Sequence, residues 1–322
     1  MYYSPIFFEK YADINLVPKK YPIDYNLGTN NIDGRYWIPG VNIENNINID
    51  ELNEKKYVII LSIQHPDFLN IAFSYIEKLK VPFIIITFSE DWEFPLDHFA
   101  EKQKIPSFTD IVEKLKSNIY FKHWFADNKT IPNTDKLTSI PLGLDFWAQR
   151  TQPFFGESPK NVHLQNKILK DIVSNTIHFS KRIPIAFCNF HFNFTDDRYY
   201  GDRRKLLNIL SNKVAYFQEK KTPRSETWLQ MSKFSFVISP FGHGMDCIRT
   251  MEALCLGCIV IMKNSCLNCI YEDLPVLFVN NWEDITEELL KKTLVEYSNK
   301  SFNYNKIMFN YWYELVLAKL KD

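Results

Sequence analysis

Apolar runs of six to eight residues recur along the chain, and no hairpin-sized turn joins one run to the next. Parallel strands need crossovers of about a dozen residues, whereas antiparallel neighbours can be joined by two, so this spacing predicts βα units around largely parallel sheets. In the first half the runs lie at 56–63, 82–89, 118–125 and 137–143. A helix is predicted at 67–80, where Phe68, Ile71, Ala72, Tyr75, Ile76 and Leu79 fall on one face, and a second at 108–116. The breaker-rich stretch 150–159 marks a boundary, dividing the chain into 1–153 and 154–322. After a helix at 160–176 the pattern restarts, with strands at 184–190, 214–219, 234–240, 258–263 and 275–280 and helices at 201–212, 225–232 and 247–256. The second half therefore reads as a Rossmann-like α/β domain. Two terminal helices, 282–298 and 303–320, follow; the last carries Phe309, Tyr311, Trp312 and Tyr313 and is expected to pack across both domains. The first 55 residues have no assigned place.

Composition narrows the functional classes. At 322 residues the chain can bury a substantial core, and its 38 basic and 38 acidic residues cancel. Nothing global favours nucleic acid or an anionic membrane, so any anion site must be local. No apolar run approaches the ~18 residues of a membrane span, and the first thirty residues lack a signal-peptide pattern. A cytoplasmic location is the expectation. Five of six cysteines lie between Cys247 and Cys269, including two CxxC pairs separated by seven residues. That spacer is shorter than common two-knuckle zinc spacings, and Cys258 opens a strand-like run, so free thiols are expected.

The densest chemistry lies in 239–257, SPFGHGMDCIRTMEALCLG. A strand ends at Ser239 and Pro240, and Gly242 and Gly244 let the backbone turn tightly and approach a ligand, with His243 between them. Asp246 stands at the expected N-cap of a helix that should stop at Gly257. The unpaired N–H groups of that helix start would face the turn, where anions are stabilised. Arg249 and Glu252 are three residues apart on one face, while Ile248, Met251 and Cys255 turn to the core. A carboxylate there can accept from two ribose hydroxyls and a guanidinium there can hold phosphate, although an ordinary i,i+3 ion pair is the competing reading. Arg203 and Arg204, after the first strand of the same domain, can neutralise a pyrophosphate or belong to a solvated charge cluster with Asp202. In the first half, His65, Asp67, Glu90 and Asp91 follow strands and are candidate general bases, with helix capping and turn formation as the alternatives for Asp67 and His65. The chain has no P-loop, GxSxG or HExxH signature and no Asp-x-Asp pair, so a metal-independent mechanism is expected.

The segment SPFGHGMDCIRTMEALCLGCIVIMKNS, followed by YEDLPVLFV, resembles the donor-binding region of exostosin-like glycosyltransferases, family 47 and its relatives. Ser239, Pro240, Gly242, Gly244, Asp246, Arg249, Glu252, Ala253, Leu254, Gly257, Cys258 and Ile259 agree with that pattern, and IPLGLDF and FSEDWEFP are similar to segments before the domain boundary. His243, Ile248, Met251 and Val260 depart from it. The resemblance implies a GT-B fold of two facing Rossmann-like domains and an inverting transfer from a UDP- or GDP-sugar to a glycan or other acceptor hydroxyl, with no cofactor. On that basis Ser239, Pro240, Gly242, His243, Gly244, Asp246, Arg249 and Glu252, with Arg203 or Arg204, form the donor site. Arg249 also stabilises the leaving group, and His65, Asp67 or Asp91 supplies the base. The alternatives are a non-catalytic nucleotide-sugar or glycan-binding module and a sugar-nucleotide epimerase of the same fold.

Overall fold

The computed structural model describes residues 1–16, 48–63, 72–88, 108–146, 148–150, 153, 156–191, 202–218, 220–242 and 244–321. They form an α/β protein with two five-stranded sheets, every pairing within which is parallel. The first sheet is β1 (Ile14–Leu16), β2 (Val58–Ile63), β3 (Phe83–Phe88), β4 (Phe121–Ala126) and β5 (Leu137–Ser139), in consecutive order. The second holds β6 (Ile183–Cys188), β7 (Ala215–Phe217), β8 (Phe234–Ile238), β9 (Ile259–Lys263) and β10 (Val276–Val279), in the order β10-β9-β8-β6-β7. The described helices are α1 (Ile49–Asn53), α2 (Phe108–Ser117), α3 (Val162–Ser174), α4 (Asp202–Ile209), α5 (Arg224–Met231), α6 (Ile248–Cys255), α7 (Asn268–Tyr271), α8 (Glu287–Ser298) and α9 (Phe309–Lys321). Residues 72–76 are also helical.

The two strand orders have different consequences. A consecutive parallel order with right-handed crossovers sends the connecting helices to one face and leaves the other to be covered from elsewhere. The terminal helix does this: α9 packs on β3 and β4, while the 3-10 turn Tyr304–Ile307 before it lies against α6. The chain end thus touches both halves. Residues 1–4 stitch it in place, with Tyr3 N donating to Ile307 O (2.8 Å), Phe309 N to Met1 O (3.0 Å) and Leu144 N to Tyr3 O (3.1 Å). In the second sheet β6 lies between β7 and β8, so the chain passes from it to β7 on one side and then back across to β8 on the other. The usual ligand position in such sheets is at that reversal, beyond the carboxyl ends of β6 and β8.

Burial follows the strand period. In β8 and β9, Val237, Val260 and Met262 join a core that also contains Trp124, Phe146, Leu254, Phe309 and Trp312, so it is continuous across both sheets. Phe236, Ile238, Ile259 and Ile261 face a second core with Phe179, Leu206, Trp282 and Leu290. Both faces of the second sheet are therefore covered, as parallel strands with uninterrupted apolar runs require. Among the described residues no helix is long and apolar enough to cross a membrane.

Candidate functional site

The loop after β8 is fixed from both sides. Ser239 N extends the ladder to Ile261 O (3.0 Å), and its hydroxyl meets that of Thr250 at 2.9 Å, both groups buried. Ser239 therefore ties the strand end to α6 with its side chain, and Pro240 beside it is buried too. Gly242 N then donates to Gly244 O (2.9 Å), closing the turn. The glycines are needed here for close approach, but the groups that approach belong to the protein. A Cβ on Gly242 would lie 2.5 Å from Arg203 Nη2, and one on Gly244 2.5 Å from the side chain of Asn128.

The N-cap expectation for Asp246 is corrected. Cys247 is the N-cap residue of α6, with extended dihedrals and no side-chain capping bond. Asp246 is buried and works as a clasp between the halves. Its Oδ2 accepts from Leu142 N (2.8 Å) and Tyr271 Oη (2.5 Å), its Oδ1 accepts from Cys247 N (2.8 Å), and its own N–H donates to Asn128 Oδ1 (2.7 Å). Burial pushes this carboxyl up while these bonds oppose it, and burial and the adjacent carboxylate hold the Tyr271 phenol well above its ordinary value. Asn128 follows β4 and Leu142 follows β5, so loops beyond the carboxyl ends of the first sheet meet the loop beyond β8 of the second. At the other end of α6 the reading holds. Gly257 has φ +70° and its N–H bonds Leu254 O (3.0 Å), while Cys258 N bonds Ala253 O (2.9 Å), a Schellman closure.

Arg249 and Glu252 do not pair with each other; each is held by a different partner. Arg249 Nε donates to Asn189 Oδ1 (2.8 Å), just past β6, and its guanidinium lies 5.5 Å from the Phe190 ring centroid. This contact lies at the reversal of strand order. Arg249 Nη1 is buried and has no hydrogen-bond partner among the described residues. Burial and the neighbouring Arg203 guanidinium lower its pKa to about 10, so it remains a cation at neutral pH. Glu252 Oε1 instead pairs with Arg224 at 3.0 Å, both side chains buried, and Arg224 also donates to Asp145 O (2.6 Å). Met251 and Cys255 face the core as the helical spacing predicts, whereas Ile248 is half-buried.

The arginines after β6 separate. Arg203 is buried against the turn, donating through Nε to Phe241 O (2.9 Å) and through Nη2 to Cys247 Sγ (3.5 Å), while Arg204 is exposed. Asp202 takes Lys263 Nζ (2.5 Å) and Trp282 Nε1 (2.8 Å). His191, Arg203, Arg249 and Lys221 converge electrostatically: burial and then these three cations lower the His191 pKa. From the sequence His191 reads as an ordinary loop residue and Asn189 and Lys221 are not singled out, although their places past β6 and β7 were a usable signal. Asn128, Leu142, Tyr271 and Arg224 carried no local signal. His65, Asp67, Glu90, Asp91 and His243 lie outside the described residues. Among the described residues no three His, Cys, Asp or Glu groups stand close enough to hold a metal. Cys247, Cys255 and Cys258 are buried free thiols, Cys266 is half-buried and Cys269 exposed.

No family model and no curated protein matches the chain.

Proposed function

We propose that the chain is a metal-independent GT-B-type glycosyltransferase related to the exostosin-like enzymes, moving a sugar from a UDP- or GDP-sugar to a hydroxyl of a glycan or other acceptor. The observation that carries this reading is Arg249, a half-buried cation whose buried Nη1 has no hydrogen-bond partner among the described residues, at the reversal point of the second sheet. Leaving a charged donor unbonded costs about 1–3 kcal/mol or more, a cost that a bound anion would remove. A nucleoside diphosphate matches the site: two phosphates suit the cationic position, and the adjoining loops are left for base and ribose. The meeting of the loops after β4 and β5 with the loop after β8 supports two domains whose strand ends face one another.

In this mechanism the bond between the anomeric carbon and the phosphate oxygen breaks, and its electron pair goes to that oxygen. Arg249, in the field of Arg203, stabilises the charge that develops there. Glu252 Oε1 is taken by Arg224, which leaves Oε2 as the atom for a ribose hydroxyl. In an inverting transfer the acceptor oxygen bonds the anomeric carbon from the opposite face as the bond to the phosphate oxygen breaks, and its proton passes to a base from the first half, the role of His65, Asp67 or Asp91.

The test is release of UDP or GDP from a panel of nucleotide sugars, with and without hydroxyl acceptors. Acceptor-dependent release is expected, with kcat lower by about 10²-fold or more in Arg249→Met, the scale seen on removing one donor to a developing anion. Binding without turnover would replace this reading with the non-catalytic module. An altered nucleotide sugar formed without acceptor would replace it with the epimerase.

A further inference from the structure

The far end of α6, about 12 Å along the helix from Arg249, borders a cavity of about 420 Å³. That lies within the range of about 300–1,000 Å³ typical of small-molecule pockets. Tyr2, Ile307 and Met308 line it on one side, and Val173 in α3, Ile177 just after it and Leu256 after α6 on the other. These walls are tied together, because Tyr2 forms an antiparallel bridge with Met308 and its N–H donates to Asn166 of α3 (3.2 Å).

One full charge stands in this lining. Arg182 is half-buried and donates through Nε to Ile177 O (2.7 Å), through Nη2 to Leu256 O (3.0 Å) and through Nη1 to Cys258 Sγ (3.3 Å). Those bonds fasten it at the end of α6, where the last carbonyls favour a cation. They take three of its five N–H groups and bring it no carboxylate among the described residues. Arg224 and Arg150, by contrast, each face a glutamate, Glu252 and Glu9. The remaining polar lining, Thr176, His178, Tyr304 and Asn305, holds no carboxylate either. Arg182 therefore keeps two N–H groups and an unmatched charge beside largely apolar walls.

We propose that this cavity binds a small organic monocarboxylate with an aromatic or aliphatic body, its carboxylate on Arg182 and its body against Tyr2, Ile177, Leu256 and Met308. The site is separate from the donor site and does not rest on it. A guanidinium fork matches the two oxygens of a carboxylate. One cation balances one negative charge, and a second would meet apolar walls without a partner, which disfavours phosphate esters.

Titrations followed by the isotope-labelled methyl resonance of Met308, assigned by its loss in Met308→Leu, read occupancy of the cavity directly. Cinnamate is the probe, cinnamamide its uncharged counterpart and inorganic phosphate the anion without an apolar body. A saturable one-site shift is expected with cinnamate, binding at least about tenfold weaker with cinnamamide, and no shift with phosphate at the same concentrations. Arg182→Gln should weaken cinnamate binding by about tenfold or more. Ile177→Glu should do the same, because it sets a carboxylate near the guanidinium at a side chain 57% exposed and keeps the backbone carbonyl that Arg182 holds. If Arg182→Gln does not fold, Ile177→Glu decides. Arg249→Met should bind cinnamate as the wild type does. No saturable shift, equal affinity for the amide, a comparable shift with phosphate, unchanged affinity in the folded variants, or equal loss in Arg249→Met would overturn the site. Failure of UDP and GDP to bind would leave it standing.

Discussion

At the scale of single residues, the buried Arg224 and the half-buried Arg249 differ in what each does for the fold. Arg224 faces a carboxylate, so truncating it leaves Glu252 buried and unpaired, a cost of about 3–5 kcal/mol. Arg249 has a neutral amide and an aromatic ring, contacts of about 1.5–3 and 0.5–2 kcal/mol. Against these stand an unbonded buried Nη1 and the like charge of Arg203, which cancel most of the gain. Arg249→Met should therefore leave the ligand-free Tm within a degree or two of wild type, roughly the effect of a change under 0.5 kcal/mol, while Arg224→Met lowers it by several times as much. Equal losses in thermal denaturation would mean that Arg249 is structural. Arg249 was legible in the sequence because it follows a glycine turn at a strand-to-helix junction. Arg224 and Asn128 were not, since their partners Asp145 and Asp246 lie 79 and 118 positions away.

The element that matters most is the 239–246 loop, where two glycines carry unequal loads. A Cβ on Gly242 would meet the far end of Arg203, a long and flexible side chain, and lie 3.2 Å from Cys247 Sγ. A Cβ on Gly244 would meet Asn128, which is short and buried, already at φ +41°, and bonded to Asp246 N. Gly244→Ala is expected to destabilise by about 1–3 kcal/mol, the cost of overpacking, and by more than Gly242→Ala. Adding Asn128→Gly should recover part of that loss by vacating the same space. No recovery in a denaturant titration of the double variant would show that the clash is not the cause. Strands of four or more residues were legible from their apolar runs. The three-residue β5 and β7 were legible too, as parts of longer apolar runs, whereas β1, with only two apolar residues, and four-residue α7 were not. The cap was misread for a related reason: aspartate before a helix is the usual N-cap, but Asp246 is drawn away by Tyr271 and Leu142.

Across the whole molecule, the two parallel sheets, the shared core and the Asp246 clasp hold the carboxyl ends of β4, β5 and β8 against one another. The α/β alternation was visible in the sequence because strands such as β3, β8 and β9 are apolar runs buried on both faces. The consecutive order of the first sheet and the return of α9 onto it were not visible, since strand order depends on pairings that no local pattern encodes. We propose that the reversal point of the second sheet is a diphosphate site built on Arg249. Calorimetric titration of UDP and GDP into wild type and Arg249→Met tests it most directly. Saturable one-site binding of at least one nucleotide, weakened by about tenfold or more in the variant, corresponding to about 1.4 kcal/mol, is the result predicted. No binding of either nucleotide, or equal affinity in the two proteins, would contradict it.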